Sequence, residues 1–547
     1  MLKLAIKSPK FVEEISSFYQ KIWEDGEVPD VFGSSEISAI WKNKGSYTQP
    51  KFWRGIMLSS ILTKILTVLI VDRISVAYNL NMGPGQMGFR QGKGCQDGFY
   101  CLKAIHQWCR KTKRELYCSM VDLSSAFDWC RREWVFESMR HIVGESQLID
   151  ILENMYGKTT AYLRGKVEES FETSCGVRQG GPESPVSYNC LAQMALDTFE
   201  ARCRLEGLDD FEIPFKIPKL ASKCGRKLVG KSIINLLGYA DDLCLWAFDL
   251  PTLKRKTEIL WDVFIEFDLA MNLDKTETLI YNWRNGDTPV KPKIPHVQYP
   301  DSLFKINEFP LKNASDFKYL GGTSQVDDSS VGQIEIENRI TSGTCKFYEL
   351  KSFFTNRKIK LSTRVQFLNS LVRTRITYLC QTWTATKSQI GQIQSTIVQF
   401  LRSMIKGGHQ RLKPESYTRN NGTTGEFAKY RFSKEEILKI SQNEPVADYI
   451  LRQQTNWIAH CINAEDSDFI KTLTFPDYPK GNLKSGIMPT TYRDVLQSFK
   501  AKKKTENDMI TELKRNTTCA VQRAATTIDE ITPDSNGSNM FETVENL

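Results

Sequence analysis

Tyr239-Ala240-Asp241-Asp242 sets two adjacent carboxylates between the apolar runs Ile233 to Gly238 and Leu243 to Phe248. The runs read as two buried strands, so the aspartates fall at a hairpin tip, where successive side chains point to opposite faces. Two readings of that tip stand side by side. An acidic tip is commonly a solvated turn. Alternatively, carboxylates held this close repel and raise a pKa, whereas a divalent cation keeps both ionised.

A second carboxylate lies upstream. Leu116 to Val121 has the apolar, β-branched and aromatic bias of a central strand, Asp122 ends it, and Ser124-Ser125 supplies a turn or helix cap. Asp122 itself is either such a cap or a partner for Asp241 and Asp242. A strand ending in Asp beside an Asp-Asp hairpin is the arrangement by which a palm-type polymerase holds two metal ions about 3.5–4 Å apart. Between the two acidic stretches runs Gly176-Val177-Arg178-Gln179-Gly180-Gly181-Pro182-Glu183-Ser184-Pro185. Its glycines expose backbone, and Ser184-Pro185 launches a helix with Pro in the first turn.

Taken in order, these segments resemble a reverse transcriptase. Val121 to Asp128 is similar to motif A, Gly176 to Pro185 to motif B, and Tyr239 to Asp242 to motif C. Finer matches resemble non-LTR retrotransposons of the long interspersed type. They are Ile40 to Gly45 and Phe52 to Ile56 (fingers), Gly88-Phe89-Arg90, Asn272 to Glu277 (motif D), Phe317 to Gly321 (motif E), and Asn369 to Trp383 with Trp457 to His460 (thumb and beyond). Motif B departs from the family, which usually has Asp and Leu where Gly181 and Glu183 stand. In motif D, Asp274 stands where the family often has a second lysine.

The resemblance implies an α+β right-hand polymerase. Residues 20–325 would be helical fingers plus a palm with a small antiparallel sheet, 326–400 a helical thumb, 401–500 a helical extension, and 501–547 a disordered tail. It implies RNA-directed DNA synthesis: deoxynucleoside triphosphates added to a DNA primer on an RNA template, with two Mg2+ ions, Mn2+ being an alternative. Asp122, Asp241 and Asp242 would be catalytic metal ligands, joined by the Leu123 carbonyl. Lys42, Lys44 and Arg54 would clamp the triphosphate, where fixed positive charge offsets charge developing in transfer. Phe127 would exclude the ribose 2′-hydroxyl, Gln179 would pack beside the nucleotide, and Lys275 would protonate the leaving pyrophosphate. Each has a plainer reading: Phe127 as core aromatic, Gln179 as loop anchor, the lysines as solvated or snorkelling chains.

Composition bounds the alternatives. With 547 residues, 41% hydrophobic content and 25% charge, the chain is globular and large enough for several cores. A net charge of +9 agrees with a polyanionic partner without requiring one. Fourteen scattered cysteines and five histidines, without C-x-x-C, argue against zinc ribbons and disulfide frameworks. No signal peptide or membrane span is evident, so an intracellular protein is expected; oligomeric state is not readable. Gly83-Pro84-Gly85-Gln86-Met87-Gly88 matches G-x-G-x-x-G but follows a helical pattern, so it is set aside as a phosphate loop. The chain starts near the fingers and carries no recognisable nuclease motif, giving the expectation of a polymerase portion of a longer reading frame or a truncated copy. The rival functions are an inactive nucleic-acid-binding remnant and an RNA-dependent RNA polymerase, against which Phe127 argues.

Overall fold

The computed structural model describes residues 8–43, 45–165, 169–208, 211–281, 302–325, 333–405, 411–412, 429–430, 432–478 and 490–515. The elements that position the candidate site are helix α1 (Pro9–Asp25), strands β1 (Ser34–Trp41) and β2 (Trp53–Ser59), and helices α2 (Ile61–Asn81) and α3 (Cys95–Thr112). Then come β3 (Leu116–Val121), α4 (Arg132–Val143), α5 (Gln147–Gly157), β4 (Thr160–Leu163), β5 (Phe171–Glu172), α6 (Ser184–Leu205), β6 (Glu212–Ile217) and β7 (Leu228–Ile233). They are followed by β8 (Leu236–Tyr239), β9 (Asp242–Ala247), α7 (Leu250–Glu266), β10 (Glu277–Tyr281), β11 (Ser302–Ile306) and β12 (Phe309–Asn313).

A six-stranded sheet in the order β11-β12-β10-β3-β9-β8 forms the centre. The β3–β9 pairing is antiparallel, with Val121 opposite Leu243 and Tyr117 opposite Ala247. Both faces are covered, which explains the nearly continuous apolar runs. Along β9, Leu243, Leu245 and Ala247 enter one core with α2, α4, α5, α6 and α7, while Cys244 and Trp246 enter a second core with α3. That alternation is the two-residue period of a strand imposed on a sheet buried on both sides.

Three expectations are corrected. The central sheet is mixed, because β10 and β12 run parallel. The region expected as helical fingers contains a four-stranded sheet, β2-β1-β4-β5, in which Trp41 pairs with Trp53. The β-branched and aromatic residues of Ile37 to Trp41 and Trp53 to Ile56 favour strands. The run from Ile233 is also split: Ile233 closes β7, opposite Glu212, and the hairpin strand starts at Leu236.

The C-terminal region divides differently from the boundaries expected. Among the described residues, the buried apolar side chains between Ile336 and Ile450, Leu379 excepted, share a separate helical core. Those from Trp457 to Leu513 join the core of the central sheet instead. Within that second group His460 pairs with Asp97 at 2.9 Å, and Asp97 accepts the Gly94 N–H that opens α3. The chain is helical over residues 506–515, with Met509, Ile510 and Leu513 buried, where a disordered tail was expected from 501. The expectation for residues 516–547 lies outside the described residues. No helix among the described residues is long and apolar enough to cross a membrane.

Candidate active site

The β8–β9 hairpin closes with Tyr239 opposite Asp242, so the turn is Ala240-Asp241 and Asp242 begins β9. Ala240 has φ 57°, a left-handed conformation that costs a residue with a Cβ about 1–2 kcal/mol. The stretch set aside as a phosphate loop supports it. Buried Gln86 accepts the Ala240 N–H at 3.0 Å and the Gly88 N–H at 3.1 Å through one Oε1. Met87 donates to the Gly238 carbonyl at 2.8 Å and Gly238 to the Gly85 carbonyl at 2.9 Å, a parallel bridge along β8. A Cβ at Gly88 would lie 2.6 Å from the Ala240 nitrogen, so only glycine fits. Asn189 of α6 donates to the Gly88 carbonyl at 2.6 Å and the Tyr78 hydroxyl at 2.8 Å, fastening this support to two helices.

Asp122 leaves β3 one residue beyond the Val121–Leu243 pair. Its carbonyl accepts the Asn272 N–H, and Ser124 donates to the Ala270 carbonyl, both at 2.8 Å. These bonds flank Leu123, which lies opposite Met271, and leave its own carbonyl pointing away from that partner. The same clip brings up the turn carrying Lys275, whose ammonium meets Asp122 Oδ2 at 2.7 Å. Asp122 does not cap the one-turn helix Ala126–Trp129 that follows; Ser125 takes that place.

Burial pushes the Asp241 carboxyl upward, helped by the Asp122 charge and opposed by its own backbone N–H and by Lys275. Asp242 is exposed, yet the surrounding protein, with Asp241 and Asp122, pushes it up to about 6. The three carboxylates are therefore within electrostatic reach of one another. Among the described residues no three His, Cys, Asp or Glu side chains already enclose an ion site. The donor set still suits a hard divalent cation, being all oxygen and mutually repelling, with an ammonium standing against Asp122.

Phe127 is half-buried in the one-turn helix. Its carbonyl accepts the Val177 N–H at 2.8 Å, and its ring stacks on Tyr188 of α6, centroids 4.8 Å apart. Gln179 is half-buried, and its carbonyl accepts the Met57 N–H at 2.8 Å, tying the loop to β2. Arg54 is exposed on β2 opposite Ile40. Lys42 donates to the Lys51 carbonyl at 2.9 Å, and its charge reaches Asp128. Lys44 lies outside the described residues.

The departures in the Gln179 loop are linked. Buried Glu183 accepts the Tyr156 hydroxyl at 2.9 Å, and Tyr156 lies under the Arg178 guanidinium at 4.6 Å. A Cβ at Gly181 would be 2.5 Å from Glu183 Oε1. Glu183 thus fills the space that a side chain at 181 would take. Sequence reasoning missed Gln86, Tyr156, Tyr188 and Asn189. Their signal was polarity inside apolar or glycine-rich surroundings, and the partner of each is remote in sequence.

Residues 41–323, more than half the chain, match the family described as reverse transcriptase (RNA-dependent DNA polymerase). The chain belongs to the reverse transcriptase family. Its distant relatives are R2-type non-LTR retrotransposon polyproteins. It is 26% identical over 280 residues to the retrovirus-related Pol polyprotein from type-2 retrotransposable element R2DM of Drosophila melanogaster, covering 50% of this chain and 23% of that one. It is 23% identical over 330 residues to the Pol polyprotein from type-1 retrotransposable element R2 of Nasonia vitripennis, covering 60% and 29%. This reverse transcriptase family member therefore spans under a third of the length of either relative. Apo telomerase from Candida tropicalis overlies 85% of the chain and 68% of its own at 12% identity and a TM-score of 0.40, a level at which residue roles do not transfer.

Proposed function

We propose that this chain is an RNA-directed DNA polymerase of the non-LTR retrotransposon kind, extending a DNA primer on an RNA template with deoxynucleoside triphosphates. The observation that carries the reading is the meeting of Asp122, at the end of β3, with the Asp241-Asp242 turn inside the family-matched segment. In this reading residues 20–325 supply fingers and palm of a right hand, 326–400 its thumb and 401–500 a helical extension, the buried residues between Ile336 and Ile450 joining the last two.

Asp122, Asp241 and Asp242, with the Leu123 carbonyl, would hold two magnesium ions, or manganese. Such ions supply Lewis-acid stabilisation of the attacking and leaving oxygens. The chain's own groups bind and orient. Lys42, Lys44 and Arg54 hold phosphates, the Gln179 loop carries the nucleotide between β2 and α6, and Phe127 tests the sugar. Lys275 neutralises Asp122 before substrate arrives and is the proton donor nearest the carboxylates afterwards.

A second reading, a nucleic-acid-binding remnant without turnover, draws on the Lys275–Asp122 pair and on the lack of a ready-made three-ligand cage among the described residues. Primer extension separates the two. Purified protein with Mg2+, RNA template and DNA primer should incorporate deoxynucleotides, and Asp241→Ala should abolish this. Folded protein that binds the hybrid without extending it would establish the remnant, and preference for ribonucleotides would refute the role given to Phe127.

A further inference from the structure

Phe127 is held from two directions by residues of the segment that contains the Gln179 loop. Behind its backbone, Gly176 adopts φ +76°, and a Cβ there would sit 2.8 Å from the Phe127 carbonyl and 2.5 Å from that of Asp128. Val177 then donates to the Phe127 carbonyl at 2.8 Å. The ring meets Tyr188, which is completely buried one turn into α6 and lies nearly parallel to it, at 24°. The Tyr188 hydroxyl has no hydrogen-bond partner among the described residues. A buried tyrosine usually satisfies its hydroxyl, and among the described residues the contact Tyr188 makes with Phe127 is through its ring.

We infer that Tyr188 is a specificity-determining positioning residue: the nucleotide sugar is tested by the stacked pair Phe127–Tyr188, in which the buried ring fixes the half-buried one. This rests on the reading of Phe127 as the sugar-testing residue. A side chain that excludes one hydroxyl must not yield by even a fraction of an ångström. Phe127, half-buried on a one-turn helix, has little rigidity of its own. Tyr188 belongs to a 22-residue helix packed in the main core, so it lends the rigidity of that helix to the ring above it.

The test is the ratio of kcat/KM for dCTP over CTP in single-nucleotide extension of a DNA primer on RNA. Phe127→Val should collapse the ratio, and Tyr188→Leu should lower it about tenfold, the scale of one aromatic stack. Most of that change should come from faster ribonucleotide use. Tyr188→Phe, which keeps the ring and removes the orphaned hydroxyl, should hold the wild-type ratio. Should Tyr188→Leu not fold, Tyr188→Met fills similar volume without a ring and carries the same expectation. A soluble Leu or Met variant with the wild-type ratio, alongside a Phe127→Val variant that has lost it, overturns the inference and leaves the Phe127 reading intact. A ratio unmoved by Phe127→Val overturns both.

Discussion

Gln86→Leu should disable the site without touching a carboxylate. One Oε1 atom accepts both the Ala240 and Gly88 N–H groups, and Gln86 is 1% exposed, so water cannot replace it. Leucine leaves two buried donors unsatisfied at about 1–3 kcal/mol each, hence a loss of about 2–6 kcal/mol. Against a total stability of about 5–15 kcal/mol this is a large fraction. The left-handed Ala240 adds about 1–2 kcal/mol of strain that the two bonds no longer offset. Relaxation of the turn would move Asp241 and Asp242 off Asp122, so extension should fall steeply while hybrid binding persists. The assay pairs urea unfolding, followed by far-ultraviolet circular dichroism, with primer extension across a magnesium titration. Ala240→Gly, which removes the strain, should recover part of the stability in the Gln86→Leu background. Wild-type stability and turnover in Gln86→Leu would refute the claim that Gly83–Gly88 braces the acidic turn.

Gly181→Asp alone should destabilise by about 2–4 kcal/mol, since its carboxylate would compete with Glu183 for one buried space. Glu183→Leu alone strands the Tyr156 hydroxyl, at about 1–3 kcal/mol. The double variant should cost less than the sum of the two, read as a coupling of about 2 kcal/mol in a double-mutant cycle of unfolding; strict additivity would show that the positions are independent. Because the Asp242 carboxyl is raised from 3.8 to about 6, the folded chain holds a proton that the unfolded chain has lost between those pH values. Stability from this group is therefore greatest below pH 3.8 and lost as pH rises through about 6, and Asp242→Asn should stabilise the metal-free protein at pH 7.5 but not at pH 3.5. After solvent screening of so open a group the gain is about 1 kcal/mol, measured by denaturation in chelator. Arg364→Ala should cost about 3 kcal/mol or more, because the buried guanidinium donates to the Phe354 and Met404 carbonyls at 2.7 Å and to Ile359 at 3.1 Å. It should leave the salt dependence of hybrid binding unchanged, whereas Lys358→Ala and Lys360→Ala, on exposed chains, should each reduce the slope by about one.

What sequence could supply was local chemistry. β3 and β9 were legible because their residues are apolar on both faces, and Asp122 because it ends such a run. The start of α6 was legible in Ser184-Pro185. The four-stranded sheet around Trp41 and Trp53 was not, since half of its pairing comes from β4, more than a hundred residues away. Sequence does not distinguish the basic residues between Arg339 and Trp383, but burial separates them: Arg364 and Arg373 bond inside the helical core, while Lys351, Lys358 and Lys360 face solvent. The backbone bonds by which glycine-rich 83–88 joins β8 follow no periodicity that the sequence displays.

The acidic turn is therefore neither a freely solvated tip nor a cage awaiting only an ion. From behind, Gln86 and the Gly85–Met87 bridge fix its backbone, and from the side Lys275 supplies a positive charge to Asp122. The two devices solve different problems. Backbone bonds fix the turn from which Asp241 and Asp242 project, and none of them involves a carboxylate. The ammonium limits repulsion among three acids, a task a divalent cation would take over. Since Asp122 Oδ2 cannot serve both Lys275 and a metal at full strength, a cation held as proposed would compete with the ammonium, and Lys275→Ala should tighten Mg2+ binding if that competition operates, whereas unchanged Mg2+ affinity would refute it.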